Sequence, residues 1–210
     1  VGTALWSHGP LVALTAVVLW RLGRASFESW RVDGAWLGLL VGVAYWCRPT
    51  AVIPGVLVAS LLMVQARREV GRFVAACGVC VLALVLASMV ELGRPWPAYY
   101  DPRSFPASAT PGFGLLGALL SPGRGLLLFS PILLIGLAGW GVARLRRDPL
   151  FLMCNGWAGL QVLLVARNAD WWGGWSYGAR LLTDSLPAWF VLVVLSLAEL
   201  RLRPWRPLTR

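Results

Sequence analysis

Phe73-Val-Ala-Ala-Cys-Gly-Val-Cys-Val-Leu-Ala-Leu-Val-Leu-Ala-Ser-Met-Val90 is an apolar run with no charged side chain, bounded by Arg72 and Glu91. A helix needs about 20 mostly apolar residues to cross a bilayer, with a range near 17–25. This run therefore reads as a transmembrane helix. Six more apolar segments flank it, at about Leu5–Trp20, Ala35–Cys47, Ala51–Val64, Leu126–Val142, Phe151–Ala166 and Leu186–Leu200. The pattern predicts an all-α, polytopic bundle of about seven spans, with residues 1–210 as one transmembrane domain.

Composition agrees. The 210 residues are 58% hydrophobic and 13% charged, whereas a soluble domain carries roughly a quarter charged residues. The formal charge of +10 would suit a polyanion, but the basic residues are spread over short loops between apolar runs. Membrane topology explains that spread, and no nucleic acid is expected as a partner. All nineteen basic residues are Arg, whose planar fork matches phosphate. Cys47, Cys77, Cys80 and Cys154 fall inside apolar runs and read as small core residues. Cys77-Gly-Val-Cys80 has metal spacing but no further ligand nearby.

Seven crossings with the N-terminus outside put thirteen Arg on the inner side and six on the outer. That bias follows the positive-inside rule and leaves the C-terminus cytoplasmic. Arg48-Pro49 divides one apolar stretch in two, because Pro disfavours helix in the residue before it. The division predicts a tight hairpin with Arg48 at its tip, or else a single kinked span. Two outer loops stand out. Residues 91–125 end in Phe113-Gly-Leu-Leu-Gly-Ala-Leu-Leu120, which reads as an interfacial or re-entrant helix. Residues 167–185 hold Trp171-Trp-Gly-Gly-Trp-Ser-Tyr-Gly-Ala-Arg-Leu-Leu-Thr-Asp184.

The candidate site residues follow from these loops. Arg180 and Asp184 are four apart, which on a helix allows an ion pair. The pair would bind phosphate, or would mark a helix start with Thr183 or Asp184 as cap. Arg124, in Ser121-Pro-Gly-Arg-Gly125, precedes a span where a helix dipole favours an anion. Arg124 reads equally as a turn residue paired with lipid headgroups. His8, the chain's one histidine, is a further phosphate contact or proton shuttle, or else a hydrated interfacial ring, and Arg48 is a further anion contact. Trp171, Trp172, Trp175 and Tyr177 offer stacking surfaces for sugar or lipid, or an aromatic belt. Asn155 and Gln161 read as bonds between helices. No catalytic triad order, metal cluster, P-loop or dinucleotide fingerprint is present. No cofactor is expected, and a divalent metal stays open.

Leu5-Trp-Ser-His-Gly-Pro10, Cys47-Arg-Pro-Thr50, Ser121-Pro-Gly-Arg-Gly125 with Phe129-Ser-Pro131, and Trp171 through Asp184 together resemble GT-C membrane glycosyltransferases. The branch they are most similar to is the bacterial protein O-mannosyltransferase-like one. The resemblance implies sugar transfer from a polyprenyl-phosphate donor to a protein, glycan or lipid acceptor. Transfer would occur on the extracytoplasmic face of the bacterial inner (plasma) membrane, with inversion. It also implies an acidic base in the first external loop. No Asp or Glu precedes Glu28, so the base is expected upstream of Val1, in a larger GT-C module of which this chain is the C-terminal part. The fragment alone would then be inactive. A lipid-linked sugar transporter or flippase, or a non-catalytic membrane subunit, is the alternative reading.

Overall fold

The computed structural model describes residues 8–28, 30–101, 106–173 and 179–201. Nine α-helices are found among them: α1 (His8–Phe27), α2 (Gly34–Cys47), α3 (Val52–Gln65), α4 (Arg67–Leu92), α5 (Pro111–Leu120), α6 (Leu126–Phe129), α7 (Leu133–Ala138), α8 (Pro149–Arg167) and α9 (Leu186–Arg201). Short 3-10 turns lie between several of them. No strand occurs among the described residues, although an isolated bridge joins Ala107 and Asn168. The chain is an all-helical bundle.

The expected seven spans are not found. Among the described residues, three helical stretches are long and apolar enough to cross a membrane: Arg67–Leu92, Pro149–Arg167 and Arg180–Arg201. Gly34–Cys47, Pro49–Gln65 and Pro111–Leu120 are apolar but shorter. The largest departure is Leu126–Val142, expected as one span. Ser130-Pro131 separates α6 from α7, and a 3-10 turn at Gly139–Gly141 ends the segment. Hydropathy reports solvent preference and not helix continuity; Pro131 removes a backbone donor, and Gly136, Gly139 and Gly141 weaken a helix interior.

Local signals account for most boundaries. Asp33 caps α2 by accepting from the backbone N–H groups of Ala35 and Trp36. Asp148 caps α8 from its side chain, with Pro149 in the first turn where a missing N–H costs nothing. Gly93, at φ 64°, closes α4 in the left-handed conformation that glycine adopts without strain. Arg48 is extended (φ −157°, ψ 136°) between α2 and the 3-10 turn Pro49–Ala51, as Pro49 requires.

Close packing of α2 on α4 anchors the bundle. Gly34, Gly38 and Gly42 recur every fourth residue, so they share a face. A Cβ on Gly34 would lie 2.2 Å from the Glu69 carbonyl oxygen, and one on Gly38 2.3 Å from that of Phe73. On Gly42 it would meet the Cys80 side chain at 2.6 Å. Small residues let helix backbones approach where lipid supplies no hydrophobic drive. Cys77 and Cys80 fill this seam, and Cys77 Sγ donates to the Gly38 carbonyl at 3.3 Å.

The contacts also sort the ends. The starts of α2 and α4 meet where Gly34 N donates to Glu69 Oε2 at 3.0 Å. Arg144 pairs with Glu199 near the end of α9 at 3.2 Å. His8 and Asp184 meet at the starts of α1 and α9, together with Arg48. One end of the bundle therefore carries Arg21, Arg24, Arg31, Arg67, Arg68, Arg72, Arg144, Arg146, Arg147 and Arg201. The other carries Arg48, Arg94, Arg124, Arg167 and Arg180. The loop 106–110 reaches the second end, where Ser108 N donates to the Arg167 carbonyl at 2.7 Å. α5 then packs along α8, with Gly114 against Ala166.

Gly38→Ala is expected to destabilise the fold by about 1–3 kcal/mol, as overpacking does. Gly78→Ala, in open space on α4, should be neutral or stabilising by up to about 1 kcal/mol. Unfolding of the detergent-solubilised variants checks the contrast.

Candidate functional site

Two side-chain clusters occupy the end opposite the Arg-rich one. The first is buried. His8 opens α1, Arg48 and Thr50 sit at the break after α2, and Asp184 lies in the 3-10 turn Arg180–Ser185 before α9. Asp184 is 1% exposed, Arg48 5% and His8 9%. Asp184 Oδ1 stands 2.7 Å from His8 Nδ1. Asp184 Oδ2 accepts from Thr50 Oγ1 at 2.7 Å and has Arg48 Nε at 3.0 Å. A carboxylate only accepts, so His8 Nδ1 carries the hydrogen. The Arg48 guanidinium lies against the same imidazole, with Nη1 3.0 Å from Nδ1 and close to Nε2.

This geometry overturns the expected Arg180–Asp184 ion pair. Residues 180–185 form a 3-10 turn, where side chains three apart eclipse and those four apart diverge by about 120°. Asp184 turns inward to Arg48, and Arg180 does not follow. Arg48 does stand at the break between α2 and α3, where the hairpin tip was expected, and it is buried there. His8 is no hydrated surface ring. Asp184 thus has His8 on one carboxylate oxygen and Thr50 with Arg48 on the other, which ties the start of α1, the break after α2 and the turn before α9 together. Thr50, given no role from sequence, completes the cluster and lines an open cleft of about 470 Å³ with Pro49, Tyr100, Arg167 and Asn168.

The second cluster is half-buried. Arg124, Arg180, Trp171 and Trp172 line one narrow cleft with Ala118 and Val165. It encloses about 10 Å³, room for about one water. Arg124 donates to the Trp172 carbonyl. Trp171 meets Trp172 edge to face at 6.0 Å, and Phe113 at 6.0 Å. Among the described residues neither Arg124 nor Arg180 makes an ion pair. Gln161 Nε2 donates to the Leu181 carbonyl at 3.1 Å and holds the Arg180 turn on α8. Asn155 bonds Trp140 Nε1 at 2.9 Å, so both amides bond across elements as expected.

One turn deeper along α8 the same wall becomes apolar. Leu115, Leu119, Leu127, Val162, Leu163 and Trp189 line a groove of about 380 Å³, with Gly159 in its wall. Apart from Asn155 its lining is apolar, and the sequence alone did not reveal it because its residues, Leu137 of α7 included, come from five helices. The structure thus unites Arg124, Arg180, Trp171 and Trp172, and separately unites His8, Arg48 and Asp184. Trp175 and Tyr177 lie outside the described residues. No family model matches the chain, and neither the curated proteins nor the solved structures yield a match.

Breaking a buried ion pair by removing one partner costs about 3–5 kcal/mol. Asp184→Ala should destabilise the fold by about that much. Thr50→Val should cost about 1–3 kcal/mol, and Arg180→Ala, outside the cluster, less than about 0.5 kcal/mol. Denaturant titration of the three variants measures the order. An Arg180→Ala loss as large as that of Asp184→Ala would restore the i, i+4 pair.

Proposed function

We propose that this chain binds a polyprenyl-phosphate-linked sugar as part of a membrane glycosyltransferase. The phosphate sits on Arg124 and Arg180, and the isoprenoid tail lies in the groove between α5 and α8. One observation carries the reading: two half-buried guanidinium groups, with no carboxylate partner among the described residues, stand above a hydrocarbon groove. A cation held at reduced dielectric favours an anion there. A ligand that meets both surfaces has a charged head and a long apolar tail.

The narrow cleft is too small for a phosphoryl group, so the phosphate seats at its mouth, beside the indoles of Trp171 and Trp172. Those rings offer faces for the sugar. In glycosyl transfer, negative charge grows on the carrier phosphate as the sugar–oxygen bond breaks. Arg124 and Arg180 stabilise that charge from fixed positions, Arg124 being held by the Trp172 carbonyl. The cleft beside Thr50, at the same end of the bundle, leaves room for an acceptor. Asp184 is fully engaged by His8, Thr50 and Arg48. The Arg-rich end faces the cytoplasm of a bacterial cell in this reading, and the site faces outward.

Binding of polyprenyl phosphate to the chain in nanodiscs tests the head and the tail separately. Each charge-assisted contact is worth about 1.5–3 kcal/mol, so Arg124→Ala and Arg180→Ala should each weaken binding about tenfold or more. Gly159→Phe, which fills the groove, should weaken polyprenyl phosphate but leave a short-chain phosphate unaffected. Unchanged affinity in both Arg variants would remove this site. Sugar transfer from the corresponding polyprenyl-phosphate sugar, assayed in the larger module that the resemblance implies and lost there in Arg180→Ala, separates an enzyme from a transporter.

A further inference from the structure

At the Arg-rich end, a tight turn carries the chain from α1 to α2. Glu28 N bonds back to the Arg24 carbonyl and Trp30 N to that of Ala25 at 2.7 Å, and Trp30 takes a left-handed backbone (φ 58°). The turn folds Arg31 back beside the last turns of α1. Arg21, Arg24, Glu28, Arg31, Asp33 and Trp36 line a concave pocket of about 350 Å³.

Its charges do not cancel locally. Glu28 is engaged by Arg24 at 2.9 Å. The Asp33 carboxylate accepts from two backbone N–H groups at the start of α2. Among the described residues no carboxylate pairs with Arg21 or Arg31. The Arg21 guanidinium lies over the Trp20 ring, 5.2 Å from its centroid, and that stacking restrains it. Arg21 and Arg31 therefore line this concavity without a direct carboxylate partner, and its charged lining, Arg21, Arg24 and Arg31 against Glu28 and Asp33, is net positive.

The apolar surroundings identify the anion. Trp36, Leu39 and Val43 recur on one face of α2 and are 46%, 40% and 45% exposed. They form a hydrocarbon stripe leading from the pocket toward the middle of the bundle. Trp20 and Val17 continue α1 in the same way, 54% and 40% exposed. Indole rings beside guanidinium groups are side chains of the membrane–water boundary. We infer that Arg21 and Arg31 hold the phosphate of an anionic glycerophospholipid whose acyl chain lies along Trp36, Leu39 and Val43. This site lies at the end of the bundle away from Arg124 and Arg180, and does not depend on the glycosyltransferase reading.

Native mass spectrometry of the detergent-solubilised chain, titrated with phosphatidylglycerol or phosphatidylcholine, tests it. The wild type should retain phosphatidylglycerol in preference to phosphatidylcholine. Arg21→Gln combined with Arg31→Gln should weaken that retention about tenfold or more, and Arg31→Gln alone should act in the same direction. Arg146→Gln combined with Arg147→Gln removes the same charge from the same end outside the pocket and should leave it unchanged. Equal loss in both double variants would show diffuse attraction and overturn the site, as would no loss in either. Displacement by inorganic phosphate at matched concentration would also overturn it, as a soluble-anion site.

Discussion

The Asp184 carboxylate holds together parts of the chain that are far apart in sequence. His8 is 176 residues away and Thr50 134, yet both reach it at 2.7 Å, with Arg48 at 3.0 Å. A carboxylate and a guanidinium taken from water lose several kcal/mol of hydration each. In a bundle that is 58% hydrophobic, little else is present to replace it. The cluster is therefore stable only when the start of α1, the break after α2 and the turn before α9 are all in place. This requirement fixes where α9 begins. It also fixes the direction of Arg180 on the same short turn, and so links the buried cluster to the rim cleft.

The second constraint is steric. The α2 glycines bring its backbone within van der Waals distance of α4, and two of them face carbonyl oxygens directly. Lipid does not drive apolar surfaces together as water does, so dispersion and close approach decide the packing. The two constraints act at different heights. The glycine seam sets the spacing from the Arg-rich end to mid-bundle, and the Asp184 cluster closes the opposite end. Between them α2 has little freedom to slide or rotate, which places Arg48 where Asp184 needs it.

Much of this was legible in the sequence, and what was not has identifiable causes. Apolar runs located most helices closely: Ala35–Cys47 became Gly34–Cys47, and Leu186–Leu200 became Leu186–Arg201. The Arg48-Pro49 break follows from proline stereochemistry and was readable from two residues. Leu126–Val142 misled because hydropathy is blind to Pro131 and three glycines. Arg180 and Asp184 misled because a spacing of four implies a shared face only in an α-helix. The Gly34, Gly38, Gly42 repeat was present in the sequence and identifies the helix-packing face. The role of His8 could not be read at all, since a lone histidine at a helix start gains meaning only from a carboxylate brought near by folding.

The distribution of arginine separates two physical roles for one residue type. At the Arg-rich end the guanidinium groups are exposed, and outside the Arg21–Arg31 pocket salt and water screen them, so each contributes little by itself. At the opposite end the surroundings differ from one Arg to the next. Arg48 is buried and matched by a carboxylate, which leaves no net charge for a ligand to meet. Arg124 and Arg180 are half-buried and have no carboxylate partner among the described residues, so solvent screens them less than it screens the exposed arginines. The local field at this end therefore depends less on the +10 net charge than on which charges stand beside hydrocarbon without a carboxylate partner. An amphiphile can satisfy that cleft and groove together, whereas a free anion reaches only the guanidinium groups.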